Sequence, residues 1–223
     1  MTTYLKAENL DEKTINKIAA DIKIGKLFIF PTDTVYGIGA NVFLENSCKK
    51  IYEIKKRPSY KPLSVLISDL SMLSELVDEI NPVEQKLIAS FWPGCLTIRF
   101  KKKDNSLPDI VSAGDEYVRV RLLKPSITSQ IISASKVPIV APSANLSGKP
   151  TGVNIKNILQ EFNGKVDYII DCGDIKTDEV STIVAIEDEK AIIIREGKIS
   201  KEEIARIVPI KDINTPSKDT KYM

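Results

Sequence analysis

Two cations placed among prolines are the residues of this sequence best suited to chemistry. Lys55 and Arg57 are followed by Pro58 and Pro62, so the loop after them has two fixed backbone angles. A rigid loop of cations suits a phosphate group, which arginine can bind through two parallel hydrogen bonds. The same cations would complement the dipole of a helix that stops before Pro58, so a solvated helix terminus is the alternative interpretation.

A second segment, residues 30–40, combines hydroxyl groups with glycines between two apolar stretches. Thr32 and Thr34 offer hydroxyls, and Gly37 and Gly39 allow a backbone to approach a ligand closely. A turn stabilised locally by the hydroxyls is the alternative. The chain contains no histidine, which excludes Ser-His and Cys-His nucleophile pairs and histidine-bound zinc.

A third segment, residues 141–151, follows an apolar strand predicted to end at about residue 140. Its polar side chains, Ser143 and Asn145 among them, therefore lie at the carboxyl end of a strand, a common ligand position in α/β sheets. Gly148 and Lys149 superficially suggest a P-loop. The match fails because Ser143 stands where that motif needs glycine and Pro150 occupies its Ser/Thr position.

A fourth pair of positions lies on two predicted neighbouring strands. Ser181 and Thr182 precede one strand, and Arg195 ends the next, followed by Glu196 and Gly197. A hairpin would bring the hydroxyl and the guanidinium together only in the right register, so the sequence leaves their proximity open.

Composition restricts the functional class. The 223 residues are 43% hydrophobic and carry 32 basic and 30 acidic groups, a net charge of +2. That balance does not indicate bulk nucleic-acid binding, and no apolar run approaches the ~20 residues that a bilayer requires. The three cysteines are far apart and have no CxxC spacing, so we expect small buried side chains in a reducing cytoplasm. The N-terminal residues show no secretory signal, which also favours a cytoplasmic location.

Apolar periodicity predicts an α/β (α+β-like) domain with a mixed sheet, because strands and helices alternate irregularly. The predicted helices lie near 11–24, 46–57, 72–77, 82–91, 125–134, 155–162 and 201–207. The predicted strands lie near 27–30, 35–40, 63–67, 96–100, 117–121, 138–141, 166–170, 182–186 and 191–195. We expect one domain over residues 1–208 and a flexible polar tail over 209–223.

Together these segments resemble the YrdC/TsaC family, the threonylcarbamoyl-AMP synthases. The motifs PTDTVYG, KxRP, WPG-LT, VRV, APSANLSG, ST-V and REG occur in the family's order, over about residues 10–208. The family signature KxR…SxN falls on Lys55, Arg57, Ser143 and Asn145. The resemblance implies a twisted mixed sheet flanked by helices, with a large concave and locally positive cleft, in the single-domain form.

The resemblance also implies a reaction of three substrates. L-threonine and bicarbonate form N-carboxythreonine, whose carboxylate attacks the α-phosphorus of ATP and expels pyrophosphate. The product begins threonylcarbamoyladenosine modification at position 37 of ANN-decoding tRNAs and passes to a downstream threonylcarbamoyl transferase complex. Mg²⁺ is expected with the ATP, held by phosphates and water, with no metal ligand from protein side chains.

Site residues follow from the family's motifs by position. The implied catalytic residues are Lys55, Arg57, Ser143 and Asn145. The implied ATP contacts are Arg57, Lys61, Asp115, Ser143, Thr151 and Arg195. The implied L-threonine contacts are Thr32, Thr34, Leu66, Arg119, Ala141 and Ser181.

The chain departs from the family pattern at four positions. Cys95 and Arg121 stand where the family has prolines, in WPGP and VRVP. Lys61 replaces a common asparagine or histidine, and Asp115 replaces a common threonine. Because none of these changes affects KxR or SxN, we expect altered affinities rather than lost activity.

Three alternatives stay open from the sequence. A double-stranded RNA-binding or ribosome-associated module of the same fold would need a broad basic surface, which local lysine clusters support only weakly. Binding of tRNA is therefore expected to be weak at most. A YciO-like paralogue would lack the KxR signature. A carbamoyl-adenylate domain of a hydrogenase maturation factor would lie in a much longer chain.

Overall fold

Ten strands form one twisted mixed sheet in the computed structural model, which describes residues 1–211. The strands are β1 Thr3–Lys6, β2 Phe28–Phe30, β3 Gly37–Asn41, β4 Ser64–Ile67, β5 Leu96–Lys101, β6 Tyr117–Leu122, β7 Ile139–Val140, β8 Tyr168–Asp171, β9 Thr182–Glu187 and β10 Lys190–Arg195. Their spatial order is β1-β8-β2-β3-β7-β4-β6-β5-β9-β10. The predicted α/β class with a mixed sheet is confirmed.

Parallel and antiparallel pairing alternate irregularly across the sheet. The pairs β1–β8, β8–β2, β4–β6 and β5–β9 are parallel, and the others are antiparallel. At the centre, Val65 of β4 pairs with Val120 of β6 on one side and Val140 of β7 on the other. The predicted site segments around residues 55–63 and 141–151 adjoin β4 and β7, whereas Ser181 and Arg195 lie at β9 and β10, at one edge of the sheet.

Seven α-helices accompany the sheet within residues 1–211. They are α1 Glu12–Lys23, α2 Glu45–Lys55, α3 Pro82–Phe91, α4 Asp109–Ser112, α5 Ile127–Ser135, α6 Ile155–Phe162 and α7 Lys201–Ala205. Their starts follow capping rules: Asp11 accepts the Thr14 amide, and Asn81, Ser126 and Ser200 form reciprocal capping boxes. None of the described helices is both long and apolar enough to cross a bilayer.

The core reaches the backbone of β3 because two glycines leave room for aromatic rings. A Cβ at Gly37 would lie 2.7 Å from the Phe30 ring, and a Cβ at Gly39 would lie 2.6 Å from it. Phe30 in turn packs on Phe28 with ring centroids 4.7 Å apart. Because these two residues are glycines, the rings of Phe28 and Phe30 can pack directly against the backbone of β3.

Several predicted boundaries are wrong for local reasons. The helix predicted at 72–77 is a 3₁₀ helix, Leu70–Glu75, which starts where Asp69 accepts the Ser71 amide. The helix predicted near 46–57 is α2, Glu45–Lys55, and its N-cap residue, Leu44, makes no side-chain hydrogen bond there. The sequence prediction missed β1 and the one-turn α4 altogether.

Two further expectations are corrected. Cys48 and Cys95 are buried, as predicted, but Cys172 is exposed, and all three are free thiols. Residues 209–211, the start of the predicted tail, are paired: Ile210 bridges Ala191, and the Lys211 amide donates to the Ala191 carbonyl. The rest of the predicted tail, 212–223, lies outside the described residues.

Candidate active site

One cavity of about 170 Å³ collects most of the predicted site residues. It opens between the β2–β3 connection, the loop after α2, the loop after β7 and the start of β9. Ten predicted residues line it: Thr32, Thr34, Arg57, Leu66, Arg119, Ala141, Ser143, Thr151, Ser181 and Arg195. The sequence segments that we selected separately therefore converge in space.

A larger cavity of about 650 Å³ adjoins the first, and Thr151 lines both. Asn145 and Lys149 from the loop after β7 line this second cavity, together with residues of α6 such as Asn157 and Glu161. The two cavities together make a concave cleft with a small inner pocket and a wider outer part. Such a division suits a small ligand bound beside a larger one.

The inner wall of the cleft consists of Thr32, Asp33, Thr34 and Arg121. The Thr32 hydroxyl donates to the Val35 carbonyl at 2.6 Å and accepts the Thr34 and Val35 amides at 3.1 Å. Its oxygen also lies 2.9 Å from that of Thr34. The turn that the hydroxyls were alternatively expected to stabilise is therefore present, and the same residues line the cavity.

An ion pair between Asp33 and Arg121 supports this wall. The side chains are 22% and 5% exposed. Arg121 also donates to the Gly94 carbonyl at 2.7 Å and the Thr34 hydroxyl at 3.2 Å. Burial raises the pKa of Asp33, but the Arg121 charge and the Cys95 thiol, which donates to it at 3.1 Å, outweigh this effect and hold the pKa below its ordinary value.

Residue types alone do not predict this ion pair, although the motifs contain signals of it. Asp33 is the one acid in PTDTVYG, and Arg121 and Cys95 are the two positions where prolines were expected. The structure joins all three, because Asp33 accepts from both Arg121 and Cys95. Arg121 and Cys95, the two residues that replace the family's prolines, thus contact the same carboxylate.

The rim wall of the cleft consists of Thr97, Ser181 and Arg195. Arg195 donates to the Ser181 carbonyl at 2.7 and 3.1 Å and to its hydroxyl at 3.2 Å, and that hydroxyl lies 2.9 Å from the Thr97 hydroxyl. Partial burial, together with the charges of Arg119, Arg121 and Arg57, lowers the pKa of Arg195 to about 10. The hairpin register left open by the sequence thus does bring Ser181 and Arg195 together.

Lys55 is held inside the protein as a clamp on the loop after β7. Its side chain is 1% exposed. Its Nζ donates to the Ser143 carbonyl, to the Asn145 carbonyl at 2.5 Å and to Asn145 Oδ1 at 3.4 Å. Burial, with a contribution from the Arg57 charge, lowers the pKa of Lys55 to about 7.

Arg57 lies at the cavity and braces its own loop. Its Nε donates to the Lys61 carbonyl at 3.1 Å and its Nη2 to the Pro62 carbonyl at 2.8 Å. The Tyr52 hydroxyl donates to the same Lys61 carbonyl at 2.7 Å. Burial lowers the pKa of Arg57, but an arginine keeps its charge at neutral pH. These hydrogen bonds brace the loop between the two prolines.

Ser143 and Asn145 form a short polar unit on the clamped loop. The Ser143 hydroxyl donates to Asn145 Oδ1 at 2.5 Å, and Asn145 Nδ2 donates to the Lys149 carbonyl at 2.8 Å. Ser143 also bridges Gly37 of β3, so the loop is tied to the sheet. Ser143 lines the inner cavity and Asn145 the outer one.

Four predicted residues do not line the inner cavity. Lys55 lies behind the loop that it clamps, and Asn145 lines the outer cavity. The Lys61 ammonium lies 6.0 Å from the Tyr60 ring centroid. Asp115 forms an ion pair with Arg99 at 2.8 Å.

The lysine clusters that favour RNA binding are partly neutralised. Lys49 pairs with Glu45 at 2.7 Å, Lys102 with Asp109 at 3.3 Å and Lys103 with Asp78 at 3.7 Å. Pairing with acids reduces the positive field that shape-based RNA binding needs. These contacts weaken the RNA-binding alternative.

Comparison with known proteins agrees with the predicted family. The family model described as Sua5_yciO_yrdC, telomere recombination, matches residues 20–197. A threonylcarbamoyl-AMP synthase of Pyrococcus abyssi is 37% identical over 201 residues, which are 90% of this chain and 59% of that protein. A putative threonylcarbamoyl-AMP synthase of Methanocaldococcus jannaschii is 40% identical over 195 residues, 87% of this chain and 91% of that protein.

Among solved structures, P. abyssi Sua5 complexed with L-threonine superposes with a TM-score of 0.87 at 36% identity. The match covers 94% of this chain and 63% of that one. The chain thus spans about six tenths of the length of its P. abyssi relative. The fold, the motifs and the family model agree, and the chain belongs to the Sua5/YciO/YrdC family.

Proposed function

We propose that this chain condenses L-threonine, bicarbonate and ATP into threonylcarbamoyl-AMP and pyrophosphate. The observation that carries the proposal is the inner cavity, where ten predicted residues meet. Among the described residues that line it, four are arginines and none is an acid. Such a site suits anionic groups, and the substrates contribute a carboxylate and phosphates. The relatives' names and the L-threonine complex of one relative also support the proposal.

The inner cavity takes the amino acid in this proposal. Arg119 binds its carboxylate through a charge-assisted hydrogen bond. Thr34 and Ser181 pair with its polar groups, and Leu66 and Ala141 contact its methyl group. Pairing of the hydroxyl group would favour threonine over valine, because valine leaves the buried partner of that hydroxyl without a hydrogen bond.

The outer cavity takes the nucleotide, and the reaction occurs where the two cavities meet. The threonine nitrogen adds to the carbon of bicarbonate-derived CO₂ and loses a proton, which gives N-carboxythreonine. An oxygen of the new carboxylate then attacks the α-phosphorus of ATP, and the bond to the pyrophosphate oxygen breaks. Arg57 and Arg195 stabilise charge on the phosphoryl oxygens, which requires positioning rather than a histidine base.

Mg²⁺ enters in this proposal as part of the ATP substrate. No group of three or more acidic, cysteine or histidine side chains suited to a metal ion occurs within residues 1–211. Asp33, the carboxylate of the inner wall, already forms an ion pair with Arg121. The described residues therefore do not provide a metal cage, and the triphosphate and water would hold the ion.

The product would pass to a downstream threonylcarbamoyl transferase complex that modifies position 37 of ANN-decoding tRNAs. A mixed carbamic–phosphoric anhydride is prone to hydrolysis, so direct transfer would protect it. We place the reaction in the cytoplasm, which the three free thiols support.

Pyrophosphate release measured with each substrate omitted in turn tests the proposal. We expect release only when ATP, L-threonine and bicarbonate are all present, with threonylcarbamoyl-AMP detected by mass spectrometry. Arg57→Ala should lower the rate roughly 10²- to 10³-fold, because it removes a donor to the transferred phosphoryl group. Lys50→Ala, an exposed cation on α2, is the matched control and should leave the rate unchanged.

Two results would contradict the proposal. Release that is indifferent to L-threonine would indicate a different acceptor on the same fold. A folded protein that releases no pyrophosphate, yet binds double-stranded RNA with steep salt dependence, would favour the RNA-binding alternative.

A further inference from the structure

Lys149 is a cation of the outer cavity that has no role in the proposed reaction. It belongs to the loop after β7, which also carries Ser143 and Thr151 to the cleft. Only Pro150 separates it in the chain from Thr151, the residue that lines both cavities. Lys149 therefore lies on the segment of the loop where the two cavities meet.

The ammonium of Lys149 forms an ion pair with Glu161 of helix α6. Its Nζ donates to Glu161 Oε1 at 2.8 Å, and both residues line the outer cavity. The pair thus joins two different elements of the cavity wall, with side chains that are 57% and 23% exposed. An ion pair this exposed contributes only about 0–1 kcal/mol, so little free energy holds Lys149 on Glu161.

Glu161 is an unexpected residue in a cavity that takes a nucleotide. Among the described residues that line the outer cavity it is the one acid, and Lys149 and Lys165 are the cations. A carboxylate beside a phosphate is repelled by it, unless a cation lies between the two. The described hydrogen bond of Glu161 is the one from Lys149, so the acid can act on a ligand of this cavity through that lysine.

A polyphosphate would compete with Glu161 for the lysine. Pyrophosphate carries several negative charges on oxygens that accept charge-assisted hydrogen bonds, whereas Glu161 carries one charge. A hydrogen bond between ionised groups contributes about 1.5–3 kcal/mol where water is partly excluded, more than an exposed ion pair does. We therefore expect the lysine to leave Glu161 when phosphates enter the cavity and to return when they leave.

We propose that Lys149 binds the β- and γ-phosphates of ATP, and that it exchanges Glu161, its partner in the free protein, for these phosphates. Glu161 then competes with the pyrophosphate product for the same ammonium and promotes its release. The inference rests on the proposed function for the identity of the nucleotide, and it names two residues outside the implied ATP contacts. The lysine after Gly148 would thus bind phosphate through its side chain, without the glycine-rich backbone cradle of a P-loop.

Calorimetric titration of the full chain with pyrophosphate and Mg²⁺, at about 0.15 M salt, tests the exchange without the other substrates. Lys149→Met should raise the Kd of pyrophosphate roughly tenfold or more, since it removes a charge-assisted hydrogen bond. Glu161→Gln should lower the Kd by up to about fivefold, because it removes the competitor for the lysine. Lys156→Met changes an exposed cation of α6 that is not among the residues lining the cavity; this matched control should leave the Kd unchanged.

The double variant separates competition from simple repulsion. When Lys149→Met is already present, Glu161→Gln should change the Kd by less than about twofold, because no ammonium remains to be released. An equal gain in both backgrounds would show that Glu161 only repels the anion, and would overturn the exchange. The free energy of unfolding should change by less than about 1 kcal/mol in each variant, so a changed Kd would not reflect lost folding.

Failure of this inference can be distinguished from failure of the proposed function. An unchanged Kd in Lys149→Met, or a wild-type protein that binds no pyrophosphate, would overturn the phosphate contact even if turnover requires all three substrates. If the Kd depends on Lys149 and Glu161 as expected but pyrophosphate release is indifferent to L-threonine, the phosphate contact stands and the proposed function is wrong.

Discussion

The inner wall and the rim wall of the cleft both combine an arginine with a pair of hydroxyls, but they hold the hydroxyl hydrogens differently. On the inner wall, the Thr32 hydroxyl donates to the Val35 carbonyl, and Arg121 donates to the Thr34 hydroxyl. On the rim wall, the Ser181 and Thr97 hydroxyls are 2.9 Å apart and either can donate. The inner wall thus has one hydroxyl, that of Thr32, with a fixed direction, whereas the hydrogen between Ser181 and Thr97 can reverse.

The two walls also differ in how the charge of their arginine is balanced. Arg121 is neutralised by Asp33, whereas the described contacts of Arg195 are to oxygens of Ser181. A fixed, charge-balanced wall suits recognition of a ligand whose donors do not change. A reversible wall with net positive charge suits phosphoryl oxygens, whose charge changes during the reaction. We therefore expect variants of the inner wall to affect stability and selectivity, and those of the rim to affect turnover.

The largest expected effect is on the inner wall. Asp33→Ala leaves the Arg121 guanidinium buried without its partner, which should lower the free energy of unfolding by about 3 kcal/mol. Urea unfolding followed by circular dichroism measures this change. Asp33→Asn combined with Arg121→Met removes both charges and should restore most of the loss. An Asp33→Ala variant as stable as the wild type would show that the ion pair does not support this wall.

Arg195→Ala should separate turnover from stability on the rim wall. We expect a roughly 10²-fold lower rate of pyrophosphate release, because one donor to the phosphates is lost. The free energy of unfolding should change by less than about 1 kcal/mol, since Arg195 is only partly buried and its described contacts are all to Ser181. A large loss of stability with an unchanged rate would reverse the roles that we assign to the two walls.

Lys55 connects the two walls, because it clamps the loop that brings Ser143 and Thr151 to the cavity. Its pKa of about 7 in the folded protein lies below its ordinary value of 10.5. Between these pH values the unfolded chain holds a proton that the folded chain has released. Lys55 therefore makes the free energy of unfolding rise with pH by up to about 1.4 kcal/mol per unit in this window.

Lys55→Met removes that proton and its pH dependence. The difference in unfolding free energy, wild type minus variant, should increase from pH 7 to about 10 and stay flat below pH 7. Subtraction cancels the titration of Tyr36 and Cys48, whose pKa values burial raises in both proteins. Parallel pH curves for the two proteins would show that Lys55 titrates normally.

The smallest effect is expected at Ser181. Ser181→Ala removes one of several hydrogen-bonding groups on the adaptable wall, so catalytic efficiency should fall by about tenfold or less. The preference for L-threonine over L-valine should not change if the inner wall sets it. Steady-state kinetics with both amino acids measure this ratio, and a collapsed preference would move selectivity to the rim.

The sequence predicted the residues that line the cavity better than it predicted the buried contacts that hold them in place. Thr34, Ser143 and Ser181 could be identified because hydroxyls beside glycines and strand ends are recognisable locally. The pairing of Asp33 with Arg121 joins residues 88 positions apart, and no local pattern predicts such a contact. Both residues lie within predicted motifs, but their residue types alone do not reveal the pairing.

Lys55 and β1 show the same limit. A lysine at the end of a helix is usually solvated, and only the loop folded over it makes Lys55 buried. Strand β1 is four residues long and mostly exposed, so it lacks the apolar alternation that indicates a strand. Only its pairing with β8, in which Thr3 lies opposite Tyr168, identifies this segment as a strand.

That pairing has a consequence for synthesis on the ribosome. Strand β1 emerges first, but its partner β8 follows 165 residues later. At ~5–20 residues per second, β1 waits on the order of ten to thirty seconds before its place in the sheet exists. Its lysine and its exposed threonine and tyrosine suit this interval, because a polar strand has little tendency to associate with other nascent chains.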